Sequence, residues 1–325
     1  MNRGLLVLVA AGACRTPSSP PPSNGDLDAR PVDAMNPPSW PDASPSPMSD
    51  AAVVSASVLR FAIVGDTRPP NLDDTAHYPT DIITKIWQDV AAEVPQPAFA
   101  VSTGDYMFAD TGHTQQDAQL DLYLGARQQF PGTVYAAMGN HECTGATASN
   151  CGPGTKDGVT SNFSAFLARM VTPLGFDRPW YVVHLQDPGG AWTAKLVLIA
   201  ANAWTTEQAT WLDATLAEPT TYTFVVRHEG ANATTAPGVT PSAAILAKHP
   251  LTLLVVGHTH SYAHYASDHE VIVGNGGAPL TSGTNYGYGM VERRDDGAIK
   301  FTAYDYQSHA VLGTWAITAS GAPTT

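Results

Sequence analysis

Six side chains able to bind a divalent metal stand where apolar runs of this chain come to an end: Asp66, Asp105, Asn140, His228, His258 and His260. Four of the runs close with a glycine directly before such a residue, in Gly65-Asp66, Gly104-Asp105, Gly139-Asn140 and Gly257-His258. His228 closes a fifth, Thr223-Phe224-Val225-Val226-Arg227. Carboxylate, carboxamide oxygen and neutral imidazole together form an N/O donor set suited to Mn, Fe or Zn. In Gly257-His258-Thr259-His260 the two histidines lie two positions apart. In extended backbone such side chains point the same way, so both rings are expected to converge on one point. Gly257 is expected to let the chain leave its strand in a conformation that a Cβ would resist. Singly, each residue has a plainer explanation. An Asp or Asn after a strand commonly forms a turn or caps a helix, and a buried His can be an ordinary satisfied core group. It is their common position at strand ends that points to a metal site.

The elements that must carry these residues follow from periodicity. Short apolar runs at 58–64, 99–102, 133–137, 180–185, 195–200, 223–227 and 251–256 read as strands, and the last, rich in Leu and Val, as one buried on both faces. Between them, 80–93, 117–130, 206–216 and 241–248 read as helices, the first with Ile82, Ile83, Ile86, Trp87 and Val90 at helical spacing and a stop before Pro95. Strands alternating with helices imply βαβ units and a largely parallel sheet, in which sites assemble at the carboxyl ends of strands. Further strands are expected near 271–273, 290–293, 299–304 and 311–317, with Asp295-Asp296-Gly297 as a hairpin turn.

Residues 1–14 read as an export signal: a basic start at Arg3, then a ten-residue apolar run, Gly4 to Ala13, ending at Cys14. That run is too short to span a bilayer and fits a secretory signal. Ala11-Gly12-Ala13-Cys14 resembles a bacterial lipobox with Ala11 where Leu is preferred, so Cys14 is the expected lipidation site; the alternative is an ordinary cleaved signal with an incidental cysteine. Residues 15–50 hold ten of the 26 prolines, seven serines and no lysine, a composition that cannot bury a core and stays extended as a tether. Residues 51–325 are then one domain. Cell-envelope export, with membrane contact only through the lipid, makes a disulfide between Cys143 and Cys151 the expectation, the alternative being two free thiols. The formal net charge of −13 argues against nucleic acid as a partner.

Taken in order, the G-D, G-D, G-N-H-E, strand-H and G-H-T-H segments resemble the calcineurin-like metallophosphoesterase superfamily over roughly residues 58 to 280. Gly104-Asp105-Tyr106-Met107-Phe108-Ala109-Asp110 and Gly274-Asn275-Gly276-Gly277-Ala278-Pro279 are similar to its purple-acid-phosphatase branch. The resemblance implies an α/β fold, a four-layer sandwich of two mixed β-sheets flanked by helices. It also implies two divalent metal ions and hydrolysis of a small phosphate ester by a metal-activated water. By motif, Asp105 would bridge the ions, Asn140, His228 and His258 would complete one site, and Asp66 and His260 would belong to the other. His141 would act as general acid or hydrogen-bond donor. Two positions depart from the pattern. Arg68 stands where many members have a ligand histidine, and Phe108 stands where the purple branch has a ligand tyrosine. The first site is therefore expected to be weak and the protein not purple. Arg68 is expected either to hold a phosphate oxygen bidentately or to pair structurally with one of the aspartates, Asp73 or Asp74 for example. A degenerate, non-catalytic module retaining the fold and one metal site is the competing expectation.

Overall fold

The structure, a computed structural model, describes residues 53–324 apart from 113, 282 and 283. The expected signal with Cys14 and the tether at 15–50 lie outside the described residues, as does His113, a histidine of the loop that follows Asp105. In chain order the strands are β1 (Val53–Ser55), β2 (Arg60–Val64), β3 (Phe99–Ser102), β4 (Thr133–Ala136), β5 (Tyr181–Gln186), β6 (Thr193–Ile199) and β7 (Tyr222–Arg227). There follow β8 (Leu253–Val256), β9 (Tyr262–Tyr265), β10 (Glu270–Val273), β11 (Gly287–Arg293), β12 (Ile299–Asp305), β13 (Val311–Ile317) and β14 (Pro323–Thr324). The main helices are α1 (Thr80–Ala92), α2 (Gln116–Arg127), α3 (Ser161–Phe166), α4 (Thr206–Ala217) and α5 (Val239–Leu246).

These strands form two seven-stranded sheets, ordered β1-β5-β6-β7-β8-β10-β9 and β14-β13-β12-β11-β2-β3-β4. The alternation of strand and helix accounts for the parallel runs β2-β3-β4 in one sheet and β6-β7-β8 in the other; β10 also pairs parallel with β8, and β1 with β5. The remainder corrects the expectation of a largely parallel sheet. β11 pairs antiparallel with β2 and leads into an antiparallel meander through β14, while β5 and β9 pair antiparallel with β6 and β10. Both sheets are mixed, as the superfamily resemblance implied. Strands β1, β9 and β14 and helix α3 carry no clear apolar period, which is why the sequence does not announce them; β9, for instance, is half-exposed along most of its length.

The period-2 pattern builds the layers. Alternate residues of the first sheet (Leu196, Leu198, Phe224, Val226, Leu253, Val255) join the core between the sheets, and their neighbours (Val197, Ile199, Val225, Leu254, Val256) pack with Leu212, Leu216 and Ile245 of α4 and α5. Across the inter-sheet core, Phe61 of β2 lies face to face with Phe99 of β3 at 5.0 Å and edge-on to Phe224 of β7 at 5.2 Å. Each such fully buried aromatic contributes about 1.5–3 kcal/mol. Ile83, Ile86, Trp87 and Val90 form the buried face of α1, and Trp87 stacks on Phe130 at 5.8 Å. Among the described residues no helix is long and apolar enough to cross a membrane.

Candidate metal centre

Two sheets, each with a parallel centre, bring the carboxyl ends of β2, β3 and β4 against those of β7 and β8. The loops leaving them are stitched by backbone hydrogen bonds: Asp66 N–H to Gly104 carbonyl (3.0 Å), Thr67 N–H to Asp105 carbonyl (2.9 Å), and Gly257 N–H to His228 carbonyl (2.8 Å). Three of the six singled-out residues leave their strands in the left-handed region, Asp66 at φ 56°, Asp105 at φ 59° and His258 at φ 65°. For residues with a Cβ this conformation costs on the order of 1–3 kcal/mol each. The surrounding hydrogen bonds hold it, and it turns the side chains of β2, β3 and β8 inward.

This corrects the reading of Gly257. The left-handed residue is His258, and Gly257 is needed for space, since a Cβ there would sit 2.3 Å from Asp66 Oδ2. The expected convergence of His258 and His260 is corrected too. Both lie beyond the end of β8, so the strand alternation does not apply. His258 Nδ1 faces Asn140 Oδ1 at 3.1 Å and His228 Nε2 at 3.3 Å, whereas His260 Nε2 lies 3.6 Å from Asp66 Oδ1.

Among the described residues two groups of convergent ligand atoms result: Asp66, Asp105 and His260 in one, and His228, Glu229 and His258 in the other. Asp105 adjoins both, its Oδ1 lying 3.3 Å from His228 Nε2. Neighbouring groups fix which atom each ligand presents. His228 Nδ1 donates to the Thr103 carbonyl (2.8 Å) and His260 Nδ1 to the Pro279 carbonyl (2.7 Å), so Nε2 of each ring faces inward. Asn140 Nδ2 donates to the Gly145 carbonyl (2.7 Å), turning Oδ1 to the site. Glu142 accepts from the backbone N–H groups of Asp105 (2.9 Å), Tyr106 (2.9 Å) and Gly139 (2.8 Å). It clamps the β3 and β4 ends together, a role its motif position did not reveal.

The electrostatics favour positive charge at the centre. Burial pushes His228 down, but Asp105 and Asp66 outweigh it and hold this imidazole well above the usual histidine range. Two buried carboxylates thus recruit a proton at an atom that also belongs to a ligand group. Burial also raises Asp105, yet His228, His141 and Arg68 carry it well below the ordinary carboxylate range. Asp66 goes the other way, raised by burial and by Asp105. Burial, with the charge of His228, lowers His258 to about 4, and burial with Arg68 lowers His260. The neutral imidazoles of His258 and His260, together with the proton that the buried carboxylates draw to His228, fit a centre that takes divalent cations, and the donor set is the N/O mixture such ions take.

The two expected catalytic residues flank this centre. His141 donates its backbone N–H to Asp105 Oδ1 (3.1 Å) and directs Nε2 to within 3.9 Å of Asp105 Oδ2. Arg68 brings Nε to 3.7 Å from Asp105 Oδ2 and lays its guanidinium 4.9 Å from the centre of the Phe108 ring. It thus pairs with an aspartate, as the structural alternative expected, but the partner is Asp105, and Asp73 and Asp74 are engaged elsewhere. Asp73 accepts from Asp110 N–H and Thr114, and Asp74 from Asn71 and His77. Phe108 also meets the edge of His141 at 4.6 Å. Tyr106 is fully buried and donates to the Ala137 carbonyl (3.1 Å), facing away from the ligand groups. Cys143 and Cys151 are joined in a disulfide. Cys143 N–H bonds the Asn140 carbonyl (3.1 Å) and Cys151 N–H the Asn202 carbonyl (2.7 Å), so the bridge ties the Asn140 loop to the segment after β6.

Fold and site together define an α/β sandwich with metal-ligand groups at the joined strand ends. The chain belongs to the calcineurin-like phosphoesterase family, whose profile matches residues 59–262. The family normally binds divalent metals, and the described residues hold two candidate metal-ligand groups. No curated protein matches the sequence. Among solved structures, a purple acid phosphatase (PPD1) from yellow lupin (Lupinus luteus) seeds is similar at 17% identity and a TM-score of 0.57, covering 83% of this chain and 57% of its own. This chain therefore spans little more than half the length of that phosphatase. GAP50, the anchor in the inner membrane complex of Plasmodium, is similar at 14% identity and a TM-score of 0.56, covering 81% of this chain and 90% of its own. At such identities the likeness is one of fold.

Proposed function

We propose that this protein hydrolyses phosphate esters at two divalent cations held by Asp66, Asp105, Asn140, His228, His258 and His260, with Asp105 shared between them. The observation that carries the proposal is the adjacency of Asp105 to both groups of convergent ligand atoms. Mn, Fe or Zn bound there would supply hydroxide at neutral pH and neutralise phosphoryl charge. The remaining roles fall to the chain's own side chains. Burial, opposed by Asp105 and reinforced by Arg68, lowers His141 to about 4. At neutral pH its imidazole is uncharged, which suits a hydrogen-bond donor to a phosphoryl oxygen better than a general acid. Arg68 offers a planar fork beside Asp105 and would hold a second phosphoryl oxygen. Phe108 packs on both Arg68 and His141 and so would help to orient them.

A second reading, a binding module that keeps the fold without catalysis, rests on Arg68 standing in place of a ligand and on the fold shared with GAP50, which is named as an anchor. One experiment separates them. The protein is stripped of metal, reloaded with Mn²⁺, Fe²⁺ or Zn²⁺, and assayed on p-nitrophenyl phosphate beside bis-p-nitrophenyl phosphate. Metal-dependent turnover, abolished by His258→Ala, supports the enzyme and identifies the ester class. No turnover with any of the three metals refutes it and leaves the binding module.

A further inference from the structure

Glu229 is the one member of the two ligand groups that the family motifs leave out. It follows His228 directly at the end of β7, and it is fully buried. Among the described residues neither carboxylate oxygen has a hydrogen-bond partner. A carboxylate so placed is expensive unless it is paired or binds a cation. The neighbouring Arg227 acts on it only through space, since the guanidinium donates its hydrogen bonds elsewhere. Arg227 bonds the Glu229 carbonyl through Nε (2.7 Å), and its Nη1 turns to the Val239 carbonyl (3.2 Å) and Ser242 Oγ (2.8 Å) at α5. What Glu229 does face is the metal centre. One of its oxygens lies within 4.8 Å of a ring nitrogen of both His228 and His258.

Resting on the dinuclear reading above, we propose that Glu229 is a further ligand of the second cation, beside Asp105, Asn140, His228 and His258. The chemistry follows from charge. Arg68 adds a positive charge where the family pattern has a neutral histidine, and Glu229 adds a negative one across the same centre, so the sum over the site is unchanged. The distribution is not. The second cation gains a hard anionic oxygen, which favours Mn²⁺ over softer, nitrogen-preferring ions. The first is left with fewer protein ligands and a guanidinium beside it. The second site is therefore the tighter of the two and the one that selects the metal.

The test uses the full chain and reads metal binding separately from activity. Metal-free wild type, Glu229→Gln, Glu229→Asp and His258→Ala are titrated with Mn²⁺ and Zn²⁺ by calorimetry, with bound metal counted by mass spectrometry and melting temperature followed with and without Mn²⁺. Glu229→Gln keeps shape and removes charge. It is expected to be at least as stable as wild type without metal, because a buried unpaired carboxylate is gone. Its tighter Mn²⁺ site weakens by about 10–100-fold, the scale on which groups supporting a metal act, and Zn²⁺ suffers less. Glu229→Asp, which keeps the charge on a shorter arm, falls between. Wild-type and Glu229→Gln proteins with equal Mn²⁺ affinity, while His258→Ala loses the site, would overturn this assignment and leave the dinuclear reading standing. A wild type that binds no metal would overturn both.

Discussion

At the scale of single residues, the distinctive choice is Arg68. Its guanidinium stands 3.7 Å from Asp105, so on the proposed reading it would repel a cation in the first group while supplying the charge that would hold a phosphate. Replacing it with the histidine of the family pattern should reverse both effects. Arg68→His is expected to tighten the weaker of two Mn²⁺ sites by roughly tenfold or more, taking supporting groups as the lower scale, and to raise KM for a phosphate ester. Calorimetry and steady-state kinetics on one preparation check both; unchanged affinity at the weaker site would show that Arg68 does not occupy a ligand's place. Much of this centre is legible in the sequence because Asp66, Asp105, Asn140, His228, His258 and His260 each close a short apolar run. Glu229 and Glu142 are not legible in that way. One follows a candidate ligand and the other belongs to a motif, and only tertiary placement shows a carboxylate without a hydrogen-bond partner in the first and a clamp on three backbone N–H groups in the second.

At the scale of elements, the site is a product of how strands end. The β3 and β4 ends approach so closely that a Cβ on Gly139 would lie 2.2 Å from Asp105 Oδ1 and 3.0 Å from Glu142 Oε2. Gly139 does not sit at positive φ, so the objection to a larger residue there is purely one of volume. Gly139→Ala is expected to lower stability by about 1–3 kcal/mol through overpacking and to weaken cation binding by displacing the Asp105 carboxylate. Denaturant melts and metal titration measure the two, and an alanine variant that binds metal like wild type would show that Asp105 is not where both sites meet. The strand periods locate β2, β3, β4, β7 and β8, which carry the candidate ligands. They miss β9, whose residues are mostly half-exposed. They also misjudge His258 and His260, because the rule that residues two apart share a face stops where β8 stops.

At the scale of the molecule, two sheets with separate hydrogen-bonding must be set face to face for the centre to exist at all. Asp66, Asp105, Asn140 and His141 come from one sheet; His228, Glu229, His258 and His260 come from the other. The Phe61–Phe224 contact packs the two sheets together in the core, and the Cys143–Cys151 bridge fastens the Asn140 loop at the rim. Alternating strands and helices announce the parallel centres of both sheets, but nothing local in the sequence says that they stack, and the family resemblance supplied that part. The account as a whole stands on two cations lying where the sheets meet. Anomalous X-ray scattering from crystals grown with Mn²⁺ tests this most directly. It should show one peak among Asp105, Asn140, His228, Glu229 and His258 and a weaker one among Asp66, Asp105 and His260. Crystals with no anomalous density at the strand ends, or with metal bound only elsewhere on the surface, would contradict it.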